Sequence, residues 1–95
     1  MDVKICEAIS QKKIITFYYE NELRKVEPHC YGLTTAGNKG LRAYQVDGYS
    51  KSGKYGWKMY DLNKSEQIKI VLENFNLRND YKKGDKGMTL IYCEA

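Results

Sequence analysis

Residues 14–19 read Ile-Ile-Thr-Phe-Tyr-Tyr, an unbroken run of β-branched and aromatic side chains. Such residues lose rotamer freedom in a helix and pack well on a pleated surface, so the run predicts a strand. Similar segments recur at short intervals. Residues 23–27 alternate imperfectly between apolar and charged, and 31–34, 41–49, 55–62 and 67–72 follow, with 88–93 closing the series. Turn-rich stretches separate them: Glu20-Asn21-Glu22, residues 35–40 and Ser50-Lys51-Ser52-Gly53-Lys54. Pro28 lacks an N–H for a ladder and so marks an edge, a bend or a strand end. Residues 73–86 are polar and irregular.

Ahead of the strands, residues 2–11 predict a short amphipathic helix. Asp2 suits its N-cap, Val3, Ile5, Cys6 and Ile9 supply an apolar stripe, and Lys12 and Lys13 place cations near its end. One helix followed by five or six short strands gives a mainly β fold, a small antiparallel sheet curled into a partly open barrel. At 95 residues there is room for one core, so residues 1–95 form a single domain, with the helix at 2–11, strands within 14–72 and a C-terminal extension at 73–95. No apolar run approaches the ~20 residues of a membrane helix, and no membrane partner is expected. The first residues lack a basic start followed by an apolar block, so no signal peptide is expected, and the expected setting is cytoplasmic.

Charge is unevenly distributed along the chain. The formal net charge is +4, yet residues 1–37 balance five bases against five acids. Residues 38–58 carry Lys39, Arg42, Lys51, Lys54 and Lys58 against Asp47 alone. Residues 78–86 carry Arg78, Lys82, Lys83 and Lys86 against Asp80 and Asp85. If the fold joins these two segments, they form a patch for an anion. Aromatic residues are interleaved with the bases: Arg42 with Tyr44, Trp57 with Lys58, Tyr81 with Lys82. Rings stack on bases and cations meet phosphates, a pairing suited to single-stranded nucleic acid or a nucleotide. The plain alternative is tyrosine filling a small β core, and Tyr18 or Tyr19, Tyr60 and Tyr92 are read that way. On a strand Arg42 and Tyr44 share one face, and Ala43 and Gln45 share the other.

His29, next to Pro28, is placed at a strand end beside the patch, where it could meet a ligand phosphate or carbonyl. The alternative is a histidine satisfied inside the fold. The candidate ligand-binding set is therefore His29, Arg42, Tyr44, Trp57 and Lys58, with Ser50 and Ser52 in the rim loop. Catalytic constellations are lacking. His29 is the only histidine, no serine sits in a G-x-S-x-G turn, and Gly53-Lys54 lacks both the upstream glycine and the following Ser or Thr of a phosphate loop. The chain is read as no enzyme, with no cofactor. Cys6, Cys30 and Cys93 are odd in number and widely spaced, so buried free thiols are expected rather than a disulfide framework or a zinc site. His29 and Cys30 would point to opposite faces of their strand.

Residues 14–62 resemble the WYL domain of bacterial regulators. The resemblance is carried by residues 14–19, by Arg24-Lys25-Val26-Glu27-Pro28-His29-Cys30-Tyr31-Gly32, and by Leu41-Arg42-Ala43-Tyr44-Gln45-Val46. Residues 26–93 look closer to short stand-alone WYL-like bacterial proteins, through Ser50-Lys51-Ser52-Gly53, Gly56-Trp57-Lys58, residues 78–81 and Asp85-Lys86-Gly87-Met88. The resemblance implies an Sm-like or SH3-like β-barrel with an N-terminal helix. It also implies a regulatory, ligand-sensing module, of a kind tied to phage defence or DNA damage, that takes single-stranded nucleic acid or cyclic nucleotides. The name-giving Trp-Tyr-Leu aligns with Ala43-Tyr44-Gln45, so only Tyr44 carries over, and Lys58 stands where the family usually has Arg. A protein-interaction adaptor or homodimer, built on Tyr44 and the apolar edge at 88–92, is the second reading.

Overall fold

Ile5, Ala8 and Ile9 lie along one stripe of helix α1 (Asp2–Gln11), and all three are buried. The helical spacing therefore does what the sequence predicts, with one exchange: Val3 is 81% exposed, and Ala8 completes the stripe instead. The computed structural model describes residues 2–95, and the capping role expected of Asp2 lies outside the described side chains. The helix ends at Lys12, whose φ of 53° turns the chain into strand β1 (Lys13–Tyr19). Glu20 and Asn21, both at positive φ, then make the two-residue turn that matches the twist of a hairpin.

Strand β2 (Glu22–Thr34) continues through Pro28, where the sequence marks an edge, a bend or an end, with a register shift against its neighbour just after it. One of its edges pairs with strand β3 (Lys39–Gly48). The other edge changes partner midway. Glu22 to Val26 pair with β1, and Cys30 to Thr34 pair with strand β6 (Met88–Glu94). Pro28 falls in the gap between those two partners, where a missing N–H breaks no ladder. Gly32 sits where β6 comes closest; a Cβ there would run into the carbonyl oxygen of Leu90.

Strand β4 (Gly56–Asp61) pairs with β3, and strand β5 (Ser65–Asn74) pairs with β1. The result is one six-stranded antiparallel sheet in the order β4-β3-β2-β1-β5, with β6 beside β2. The strands β4 and β5 end the path and do not pair with each other, so the sheet is open. Helix α1 packs against β1, β2 and β6, and the core between them holds Ile15, Phe17, Val26, Tyr31 and Leu41. Phe17, Tyr19 and Tyr60 meet edge-to-face at 5.0–6.3 Å.

Two expectations about the interior are corrected. Cys6 of α1 and Cys93 of β6 form a disulfide across a sequence separation of 87, with their Cα atoms 5.8 Å apart. Wide spacing argues against pairing only while the chain is read linearly; β6 returns to the helix and removes that separation. Cys30 alone remains a buried free thiol. Among the tyrosines read as core, Tyr60 is buried and, of the pair Tyr18 or Tyr19, Tyr19 packs against the core, but Tyr18 and Tyr92 are exposed; Tyr31 is the fully buried one. Among the described residues no helix is long and apolar enough to cross a membrane.

Candidate ligand-binding cleft

Alternation along β3 builds the site. Ala43 and Gln45 are fully buried, which turns Arg42 and Tyr44 to the other face. Cross-strand partners share a face, so Tyr44 brings Trp57 of β4 to the same side, whereas Ala43 takes Lys58 to the opposite one. The polar segment 75–87, here called the strap, leaves β5 and crosses this face before β6 begins. The two basic segments thereby meet, but through Arg42 alone from residues 38–58.

The strap is held mainly by charge and hydrogen bonds. Arg42 donates Nε and Nη2 to the Asp85 carboxylate at 2.6 and 3.3 Å. Arg78 reaches Glu27 through a similar fork at 2.8 and 3.2 Å, with its guanidinium 3.7 Å from the Tyr44 ring centre. The Trp57 indole N–H donates to Asp80 at 2.9 Å. The Tyr81 hydroxyl donates to Glu94 at 2.7 Å. Arg42's hydrogen bonds hold the Asp85 carboxyl below its ordinary range, helped by the Gly87 N–H.

His29 lies underneath, fully buried, mid-strand in β2 rather than at a strand end. Its ring packs against Trp57, Phe75 and Tyr81 at 4.8–5.1 Å. Nδ1 donates to the Glu27 carbonyl at 2.9 Å, so Nε2 accepts from the Arg78 N–H at 3.4 Å. Both nitrogens are occupied, and burial lowers its pKa, keeping the ring neutral. The structure therefore gives His29 the satisfied interior place. Cys30 is next to it and shares the Tyr81 contact, where alternation predicts opposite faces; a register shift between Pro28 and Cys30 breaks the alternation. Burial pushes the Cys30 thiol up to about 11.

Of the predicted set, Arg42, Tyr44 and Trp57 come together. Lys58 does not join them. Its ammonium lies 3.3 and 3.5 Å from the Ser52 and Ser50 hydroxyls, forming a separate, part-exposed cluster at the β3–β4 loop. Between the strap and β3–β4 lies an open cleft of about 480 Å³, lined by Arg42, Trp57, Tyr81, Lys82, Lys83 and Lys86 together with Asp80 and Asp85. Trp57 and Tyr81 sit 5.8 Å apart there with their planes tilted by 35°. Among the described residues no ion pair engages Lys82, Lys83 or Lys86. The cleft thus offers three free cations beside two part-exposed rings, a size and chemistry suited to a small anionic aromatic ligand.

The sequence flags the strap's bases but treats Asp80 and Asp85 only as offsets to them. Their role as partners of Trp57 and Arg42 has no local signature. Arg24 is missed as well: it is buried, and its guanidinium lies 5.1–5.3 Å from the Tyr19 and Tyr49 ring centres with no carboxylate partner among the described residues. Among the described residues no group of His, Cys, Asp or Glu is placed to hold a metal ion. A scan against protein-family models, a search of curated proteins and a search of solved structures each return no match to this chain.

Proposed function

We propose that this chain is a non-enzymatic regulatory module that binds single-stranded nucleic acid or a nucleotide-type ligand in the cleft beside Trp57. The observation that carries the reading is the cluster of Lys82, Lys83 and Lys86 around the Trp57 and Tyr81 rings. The lysines meet phosphates, and a ring stacks on a base. The six-stranded antiparallel sheet with its leading helix supports the Sm-like or SH3-like architecture that the WYL resemblance implies. A cytoplasmic setting belongs to the same proposal, and the Cys6–Cys93 disulfide weighs against it, because such bonds persist in oxidising compartments.

Trp57 is the only tryptophan and reports on the site directly. Its fluorescence should change saturably on titration with oligothymidylate or with a nucleotide, and the change should weaken as salt rises. No response to either probe at low salt overturns the reading. A second reading has its own observation: the unpaired edge of β6 exposes Leu90 (55%) and Tyr92 (42%), an edge open to strand addition by another chain. That reading expects a sedimentation coefficient that rises with protein concentration in the absence of any ligand.

A further inference from the structure

The strap turns three of its bases outward and points its two acids' carboxylates at donors on the sheet. Lys82, Lys83 and Lys86 are exposed, while the Asp85 side chain is only 10% exposed against Arg42. Asp80, at the strap's outer part, still reaches down to the Trp57 indole N–H. Arg42 and the indole N–H are the two donors on the sheet that an anionic ligand would take, and both are already filled by carboxylates of the chain itself.

We propose that residues 80–86 are an electrostatic latch, in which Asp80 and Asp85 stand in for an anionic ligand and a multiply charged anion displaces them. The proposal rests on the anionic-ligand reading of the cleft and adds to it how the site is regulated. Apolar anchoring of the strap comes from buried Phe75 and Met88 at its flanks and, within it, from the part-buried Tyr81 ring against His29 and Trp57. Gly84, exposed and at a φ of +73°, allows the chain to turn within the segment, whereas Gly87 is held by its N–H to Asp85 and its carbonyl to the Thr35 N–H. Few apolar contacts and solvent-facing backbone are the marks of a segment that opens at low free energy.

The latch also selects its ligand. A tethered carboxylate competes at an effective concentration on the order of millimolar. Chloride or acetate offers Arg42 nothing better than Asp85 does. A polyphosphate engages Arg42 and, in addition, Lys82, Lys83 and Lys86, which the strap's own acids leave free.

Cys30 makes the opening measurable. It is the one free thiol, fully buried beneath Tyr81, whose hydroxyl contacts it. The reaction of the intact, disulfide-bonded protein with an aromatic disulfide reagent should be accelerated saturably by inorganic tripolyphosphate. Without ligand, Asp85→Asn should react faster than the wild type by more than its loss of global stability accounts for. It should also bind tripolyphosphate about tenfold more tightly by Trp57 fluorescence, the scale of one charge-assisted hydrogen-bond pair. Asp80→Asn, at an exposed position, repeats the test if Asp85→Asn folds poorly. Tripolyphosphate that changes Trp57 fluorescence but leaves the Cys30 rate unchanged or slower overturns the latch and spares the ligand reading. No fluorescence response in the wild type or either variant overturns the ligand reading, and the proposed coupling falls with it.

Discussion

The helix side and the strap side of this molecule are held by different forces. On the helix side, α1 closes over β1, β2 and β6 with fully buried Ile5, Ala8, Ile15 and Phe17, and a disulfide fastens the first element to the last strand. On the strap side, two Arg–carboxylate forks, an indole N–H and a tyrosine hydroxyl hold down a segment with no regular structure. Apolar burial scales with area and ignores salt, whereas part-exposed ion pairs contribute little and are screened. One side therefore carries the stability, and the other is free to change its partners.

The largest effect that would separate the two sides is loss of the Cys6–Cys93 bond. It closes a loop of nearly the whole chain, so replacing both cysteines by alanine should cost about 4.5 kcal/mol in the chain-entropy account. Urea unfolding under oxidising conditions measures it, and a loss below about 1 kcal/mol would show that β6 is secured by its ladder and Gly32 packing alone. Phe17→Ala comes next, at roughly 4 kcal/mol, because the ring is fully buried and meets both Tyr19 and Tyr60. Near-neutral unfolding behaviour in that variant would move the centre of the core away from β1.

The strap should respond on a smaller scale. Arg42→Ala removes the fork to Asp85, and the Arg42 side chain is 29% exposed, so global stability should fall by only about 1–2 kcal/mol. The rate of Cys30 modification should rise by more than that loss of global stability accounts for. Parallel changes in the two quantities would mean that the strap unfolds only with the whole domain, and the contrast between the two sides would fail.

The same contrast explains what could be read in the sequence. The run at 14–19 and the alternation at 41–46 report local burial, and they placed β1 and the Arg42–Tyr44 face correctly. What the sequence hides is non-local. Arg42 and Asp85 are 43 residues apart, Glu27 and Arg78 are 51 apart, and the disulfide spans 87. No period in the chain encodes such pairs; they exist only once β6 and the strap have folded back. Lys58 shows the converse error. It is adjacent to Trp57 in sequence, and for that reason it points to the other face.

The smallest effect is the dependence on pH, and it sets the two sides in different windows. His29 is neutral in the fold because burial lowers its pKa from 6.5, although Glu27 and Asp80 favour its charged form and Arg78 opposes it. A depressed histidine adds stability that is fully present above 6.5 and is lost as pH falls from there through the folded-state value, since the unfolded chain takes up the proton first. Asp85 is likewise depressed, by Arg42, but from 3.8. Its contribution is fully present above 3.8 and fails only as pH drops through its lower folded-state value. Mild acid should therefore loosen the aromatic floor under Trp57 while the Asp85–Arg42 fork still holds. Urea midpoints measured across both windows should show two separate declines in the wild type. His29→Gln, which keeps a donor for Glu27 and an acceptor for Arg78, should lose only the first. An unchanged first decline in that variant would assign it to another group and return His29 to a purely packing role.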